Sequence, residues 1–376
     1  MGVSDATYDI VVIGGGIAGV SVTYELTMAG RKVLLVERES QLAYHTTGRS
    51  AALFLESYGP PIVRGLLSAS RAFLEAAPTV LDTSEILTPR MSLFVAEPDD
   101  VQIVADMVAA TTLVEDVGVE GAVELCPHLR PEVFAAACLE RAACSIDVMS
   151  LHHGWVRGAL AAGAGVEKWY DVVTINRRTG GFDVTSDAGR TVSAGHVVLA
   201  AGAWTDVLGA RAGARPLGLQ PKRRTMAVCP TNAVIEPFGT HVSDVNEKYY
   251  WQPEGPNIQC SPADEHPSEP CDARPEELDI AYVIDEVNRT TTLNLRSLKA
   301  SWAGLRTFAP DRTPVCGADP DVDGLWWLCG QGGWGIETSP AMAAAMCGLV
   351  TEGRFPDHVV ARGVTETMMS PARFHA

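Results

Sequence analysis

The sequence predicts an α/β fold, and three observations at its N-terminal end predict it. A short run rich in β-branched residues, a glycine-rich turn and a second apolar run closed by an acid follow one another without a gap. Tyr8-Asp-Ile-Val-Val-Ile13 suits a parallel strand buried on both faces. Gly14-Gly-Gly16-Ile-Ala-Gly19 comes next, Val20 to Ala29 reads as a helix stopped by Gly30, and Lys32-Val-Leu-Leu-Val36 reads as a second strand ending at Glu37. In such a β-α-β unit Gly14 permits the tight turn, Gly16 lets backbone approach a pyrophosphate, and Gly19 lets helix and strand pack closely. Ile17 and Ala18 open the helix, whose N-terminus supplies a positive field for phosphates. Glu37 is placed to accept a ribose 2′-hydroxyl, which favours an unphosphorylated adenosine. The unit alone leaves NAD and FAD both open.

Length and composition set the frame around it. A chain of 376 residues is enough for two or three domains. Hydrophobic residues at 47% and charged residues at 20% fit an ordinary globular protein. A net charge of −17, with no basic run longer than Lys222-Arg223-Arg224, argues against nucleic acid. The segment Met1 to Asp9 lacks the basic start of a signal peptide, and the longest apolar window, Ala341 to Val350, is too short to span a membrane. Nine cysteines without a C-x-x-C pair suit a reducing compartment, so a cytoplasmic location is expected. Cys126-Pro-His128 and His152-His153 have no partners at metal-site spacing, and no metal is expected.

Three later segments decide between the cofactors. His45-Thr-Thr-Gly48-Arg49-Ser50-Ala-Ala52 is a small-residue loop after the second strand. Thr191 to Trp204 is a strand of a hairpin running into the turn Ala200-Ala201-Gly202-Ala203-Trp204, and Gly330-Gln-Gly-Gly-Trp334-Gly-Ile-Glu337-Thr338 is a second glycine-rich turn opening a helix from Ser339 to Val350. With Arg215-Pro-Leu-Gly-Leu-Gln-Pro-Lys-Arg-Arg224 and Trp302-Ala-Gly-Leu-Arg306, these segments resemble the FAD-dependent D-amino-acid oxidase and glycine oxidase superfamily, most closely the bacterial D-arginine dehydrogenases. The resemblance runs nearly end to end.

It implies a Rossmann-like FAD-binding domain (1–86, 143–218, 307–376) and a discontinuous antiparallel-sheet substrate domain (87–142, 219–306). The stretch Pro253 to Glu277, with six prolines and seven acids, stays inside the second as a strand and surface loop. FAD, held non-covalently, would meet Thr47, Gly48, Arg49, Ser50 and Ala51 on its phosphate and flavin side and the backbone of Val173 at its adenine. Arg38 would lie over the adenosine, and Ala201, Gly202 and Trp204 would complete that wall. Gly332, Gly333, Trp334, Gly335, Ile336, Glu337 and Thr338, with the helix behind them, would stabilise charge developing near flavin N1 and O2. Cys316 and Cys329 lie in the C-terminal flavin region but outside the context of a covalent flavin link.

The same resemblance implies oxidation of an amino acid by hydride transfer from Cα to flavin N5 with the amine neutral. The imino product would hydrolyse to a 2-oxo acid and ammonia. Arg224 and Arg306 would clamp the substrate carboxylate, since guanidinium groups bind carboxylates bidentately. Tyr250 would hydrogen-bond it, and Tyr58, on the Gly- and Pro-rich loop Ser57-Tyr-Gly-Pro-Pro61, would be a lid. The departures from the pattern set the substrate. Ser92 stands where D-arginine dehydrogenases have the acid that meets a guanidinium, and Leu53 and Leu55 replace a histidine and a threonine. Glu56, in the lid loop, could compensate but is expected to face solvent. A neutral, hydrophobic amino acid, with the D-form favoured, is the expectation. Two other readings remain: an amine or imino-acid oxidase of the glycine or sarcosine oxidase type, and a flavin-binding electron-relay subunit. The electron acceptor, a quinone, an electron carrier or oxygen, is left open.

Overall fold

The computed structural model describes residues 7–236 and 239–375. The expected absence of a leader therefore falls largely on residues 1–6, outside the described residues. The strand β1 (Thr7–Ile13) buries Ile10 to Ile13 completely, and β2 (Val33–Val36) buries all four of its residues. The two run parallel, from Ile10 opposite Val33 to Ile13 opposite Val36. Burial on both faces is what an unbroken β-branched run requires. Between them α1 (Ile17–Met28) starts earlier than the apolar pattern suggests, because Gly16 already serves as its N-cap with an extended backbone.

This unit sits at the centre of an eight-stranded sheet. Thr191–Leu199 lies parallel to the other edge of β1, with Leu325–Cys329 parallel beyond it, and Gly165–Glu167 flanks β2. The antiparallel pair Val172–Arg178 and Gly181–Ser186 extends the sheet from Thr191–Leu199. One face is covered by α1 and the helices Val148–Ala161 and Ser339–Glu352, with Pro61–Val80 packed alongside. Their core includes fully buried Trp155, stacked on Phe73 at 4.6 Å.

A nine-stranded sheet forms the second layer, built from residues 92–140, 220–267 and 300–308. It is antiparallel, as expected from sequence, except at one pair: His241–Asp244 runs parallel to Ser92–Ala96. The chain returns to that strand only after a long excursion through the other sheet, and no hairpin forces the reverse direction. The helices Gly118–Leu125 and Glu277–Thr290 supply the core on one side. A third, small sheet joins Leu53–Phe54, Cys144–Ile146 and Leu87–Pro89.

The strand Ala300–Phe308 ties the two layers together. It pairs with Gln220–Pro230 over nine positions, and its last residue, Phe308, bridges to Gln331 at the start of the second glycine-rich turn. The Thr46 hydroxyl donates to the Leu305 carbonyl at 2.9 Å, and Trp302 Nε1 donates to the Arg49 carbonyl at 2.7 Å. No helix among the described residues is long and apolar enough to cross a membrane. The nine cysteines are all free thiols.

Candidate functional site

Two clefts meet at the junction of the sheets and share their walls. The larger, about 380 Å³, opens at the C-terminal ends of β1, β2 and Thr191–Leu199, where open α/β sheets bind nucleotides. Gly14, Gly16, Ile17 and Ala18 form its floor, Glu37 and Arg38 one side, and Ala201, Gly202 and Trp204 another. Gly14 has φ +115°, and a Cβ there would lie 2.5 Å from the Ala200 carbonyl oxygen. A Cβ on Gly19 would fall 1.8 Å from the Gly14 oxygen, so Gly19 serves the packing of α1 on the turn and does not line the cleft.

The fit to an anion shows in what caps α1. Its N-terminus has no side-chain cap and no acid in its first turn, and among the described residues only Ile17 N–H is met from outside, by the Thr47 hydroxyl at 3.0 Å. Unsatisfied N–H groups at a helix start facing a cleft are what a pyrophosphate needs. Glu37 is locked in place by two backbone donors, Gly15 N–H at 2.6 Å and Glu39 N–H at 2.9 Å, and keeps its carboxylate on the cleft wall. Behind the loop, His152 donates Nε2–H to the Gly15 carbonyl at 3.0 Å, and burial pushes its pKa down, which fixes the neutral ring. The Arg38 guanidinium lies 5.2 Å from the Trp204 ring, beside Glu39 and Asp171.

The smaller cleft, about 90 Å³, opens on the nine-stranded sheet. Side-chain alternation along Ala300–Phe308 separates the two: Leu305 and Thr307 face the large cleft, Arg306 the small one. The loop after β2 divides likewise, with Tyr44 to Thr47 in the large cleft and Ser50 to Leu53 in the small one. Arg224, Arg306, Tyr58, Tyr250, Leu53, Leu55 and Gly333 all line the small cleft, so residues from five distant segments converge there.

Its electrostatics are those of an anion site awaiting a partner. Arg224 donates Nε–H to the Asp264 carbonyl at 2.9 Å, but its buried Nη2 has no hydrogen-bond partner, the Glu265 carboxylate being 3.8 Å away. Burial and the Arg306 charge push its pKa down. Among the described residues Arg306 has no hydrogen bond or ion pair to a protein group. Burial opposes its charge, and Tyr250, Tyr58 and the Glu247 and Glu265 carboxylates more than offset that. Leaving the buried Arg224 donor unmet costs about 1–3 kcal/mol or more, and with the half-buried Arg306 guanidinium beside it the pair marks a place for a carboxylate. The Tyr250 ring lies 5.9 Å from the Arg224 guanidinium. The Tyr58 hydroxyl donates to Glu247 at 2.9 Å across the mouth, and burial followed by Glu247 raises its pKa.

The structure redistributes several expected residues. Ser92 does not line the small cleft. It is fully buried and bonded to His241 Nδ1 at 2.9 Å, and His241 presents the wall, because the paired strands put both residues on one side. Val172, not Val173, lines the large cleft; Val173 sits at a bulge with an exposed side chain, and the Val172 carbonyl already takes a hydrogen bond from Arg211. Gly48 and Arg49 face neither cleft: a Cβ on Gly48 would strike the Ala43 oxygen at 2.3 Å, and Arg49 binds the Ala273 and Ala303 carbonyls and Asp272. Ser50 and Ala51 belong to the small cleft.

In the second glycine-rich turn, Gly332 and Gly335 face the large cleft and Gly333, Ile336 and Glu337 the small one. Trp334 and Thr338 pack inward, Trp334 edge-on to Phe308 and the Thr338 hydroxyl on the Trp334 carbonyl. The expected role for the start of helix Ser339–Glu352 is corrected too. Its early donors are used within the protein, Ser339 N–H by Ile336 and Ala341 N–H by the Ser70 hydroxyl. Donors aimed at the clefts must come from the turn itself. Glu56 is bound to Arg71 and does not face the cleft. No cysteine lines either cleft, and Cys316 and Cys329 are fully buried in strands.

Sequence reading missed Phe94, His241, Ser243 and Glu247 in the small cleft and Arg211 in the large one. They sit in ordinary strand, turn and helix patterns with no motif around them. Glu247 alone carries a local sign, a left-handed φ of 55° that a side-chain-bearing residue rarely holds without cause.

The chain is similar to known proteins along most of its length. The sequence model of the family described as "FAD dependent oxidoreductase" matches residues 9–349. The glycine oxidase of Bacillus licheniformis is 25% identical over 91% of this chain and 93% of its own length. The crystal structure of glycine oxidase from Geobacillus kaustophilus superposes with a TM-score of 0.81 at 22% identity, over 92% of this chain and 94% of that one. That of L-proline dehydrogenase from P. horikoshii gives 0.85 at 19%, over 99% of each.

Proposed function

The chain belongs to the family of FAD-dependent oxidoreductases whose model it matches across residues 9–349, and from that premise we propose that it oxidises a small neutral amino acid at the carbon bearing nitrogen. The observation that carries the reading is the pair of guanidinium groups, buried Arg224 and half-buried Arg306, facing a small cleft that adjoins the nucleotide cleft. The named activities of the relatives, glycine oxidase and L-proline dehydrogenase, point to the same class of donor.

Bound FAD would supply the hydride-accepting chemistry that oxidation at the substrate's Cα requires. The residues of this chain do the rest. The N-terminus of α1 and Glu37 anchor the nucleotide end. Arg306 and Arg224 hold the substrate carboxylate and so fix which hydrogen faces the cofactor. The domain reading follows: the eight-stranded sheet carries the nucleotide and the nine-stranded sheet the substrate, with boundaries near residues 86, 142, 218 and 306.

Leu53, Leu55 and Phe94 make the rest of the wall apolar. A cavity of about 90 Å³ has room for several non-hydrogen atoms, one water needing about 10–15 Å³ of such space. A small neutral side chain fits this wall, and the D-form is the configuration we favour. The same size supports a second reading, a glycine- or imino-acid-type oxidase. Anaerobic bleaching of the flavin-loaded protein against D- and L-amino acids, N-methylated amines and 2-hydroxy acids tests the proposal. Small neutral amino or imino acids are expected to bleach it at least tenfold faster than arginine or lysine. A preference for the basic amino acids, or bleaching by hydroxy acids alone, overturns it. Peroxide formed on admitting air separates oxidase from dehydrogenase.

Tyr58 closes the mouth through Glu247. Tyr58→Phe removes one hydrogen bond to an exposed carboxylate and is expected to raise KM several-fold, for a cost of about 0.5–1.5 kcal/mol, with kcat less affected. Combined with Glu247→Gln it should add little further. Fully additive effects on KM would show that the two residues do not act as one latch.

A further inference from the structure

An amino acid enters such a site as a zwitterion, and its ammonium group brings a positive charge beside two guanidinium groups. Something in the cleft must balance that charge. Of the two carboxyls among the lining residues, Glu247 is exposed at the mouth and engaged by the Tyr58 hydroxyl. Glu337 is the interior one. It is 6% exposed, with one oxygen held by Leu55 N–H at 3.3 Å, and it sits among Leu53, Leu55 and Ile336.

Glu337 and Arg306 share a wall. A Cβ on Gly333 would lie 2.9 Å from Arg306 Nη1, so the guanidinium rests on the same turn that carries Glu337 four residues on. The two are near enough for Arg306 to favour the ionised carboxyl, yet they form no ion pair. That leaves a guanidinium and a carboxyl facing one small space without pairing with each other, the complement of a zwitterion when the carboxyl is ionised.

Resting on the amino-acid reading above, we propose that Glu337 receives the substrate's nitrogen and takes its proton. The step moves one proton from the ammonium to a Glu337 oxygen, leaving a neutral amine with its lone pair and a neutral carboxylic acid. No electron moves and no other reactant is needed. A carboxyl serves here because its environment makes it a better base than an exposed one. Burial raises its pKa well above the usual carboxylate range, Glu140 adds to that, and the Leu55 N–H and Arg306 work against it. The remaining charged groups of the cleft, Arg224 and Glu247, lie on the sheet and at the mouth, and His241 stays neutral, its pKa pushed down to about 3 by burial and Arg90.

Two measurements on the flavin-loaded protein test this. The first follows the rate of anaerobic flavin reduction against pH. In the wild type the rate should rise through one ionisation lying below that of the substrate's own ammonium. In Glu337→Gln that limb should move up to the free ammonium, with a loss of about a hundredfold at neutral pH recovered as pH rises. The second compares binding of the amino acid with that of a carboxylic acid of equal size lacking the amine, read by the perturbed flavin spectrum. Glu337→Gln should weaken the first at least tenfold and leave the second unchanged.

A wild-type limb at the ammonium's own ionisation overturns the proposal even if the variant does not load flavin. So does a variant that keeps the wild-type limb, or one that weakens both ligands equally. Wild-type protein bleached by no amine overturns the amino-acid reading as well, whereas the other adverse results leave that reading standing.

Discussion

Arg306→Met is expected to leave a folded, flavin-loaded protein that its substrate scarcely reduces. The guanidinium has no partner among the described residues and faces the small cleft. Removing one member of a buried charge pair costs about 2–5 kcal/mol or more, so kcat/KM should fall roughly thirtyfold to several thousandfold. Stability should move the other way. Arg306 also repels Arg224 and helps push its pKa down, and replacing an unpaired, half-buried charge with an apolar chain of similar size is neutral or stabilising. An unchanged or raised Tm with lost activity is therefore the expected pair of results. Arg306→Lys should recover little, because an ammonium cannot present two parallel donors to a carboxylate. A variant with a lowered Tm and near-normal kcat/KM would assign Arg306 to the fold instead.

Gly14→Ala is expected to cost the protein its cofactor. The new Cβ would meet the Ala200 carbonyl oxygen at 2.5 Å and carbon at 2.8 Å, both backbone atoms at the end of the neighbouring parallel strand. The φ of +115° is itself closed to an alanine. Overpacking and a forbidden dihedral together cost about 3 kcal/mol or more. Relaxation would spread the first turn away from Ala200, where the cleft is formed. FAD should bind roughly a hundredfold more weakly, measured by flavin retained through gel filtration and by titration of the apoprotein. Gly30→Ala is the control: its φ is also positive, but a Cβ there meets nothing within 4 Å, so only a stability loss of about 1 kcal/mol is expected.

How much of this could be read from sequence depended on how local the cause was. The turn Gly14 to Gly19 was legible because each glycine answers to a contact within the first forty residues or to the strand beside them. The convergence of Arg224, Arg306, Tyr58 and Tyr250 was legible only through resemblance, since no spacing relates residues up to 248 positions apart (58 to 306). Ser92 shows where that reading thins. Its position was expected in the pocket wall, but strand pairing turned the serine onto His241 and brought the histidine to the wall. Arg49 lies in the most distinctive loop of the chain, yet it serves to hold the loop against residues 272–273 and 303. A side chain's direction depends on register and on which carbonyls need donors, and neither is written in the motif.

By itself the sequence determined the nucleotide-binding unit, the family and with it the cofactor, because close backbone packing demands glycines at fixed places and leaves a linear trace. Only the tertiary structure decided which residues of the glycine-rich segments face which cleft, that the helix from Ser339 spends its first donors inside the protein, and that Glu337 lines the same small cleft as two guanidinium groups. Those outcomes arise from alternation along the strand Ala300–Phe308 and from the turn that crosses its end. A carboxyl acquires its unusual basicity from burial and from its neighbours across the fold, and no short stretch of sequence records either.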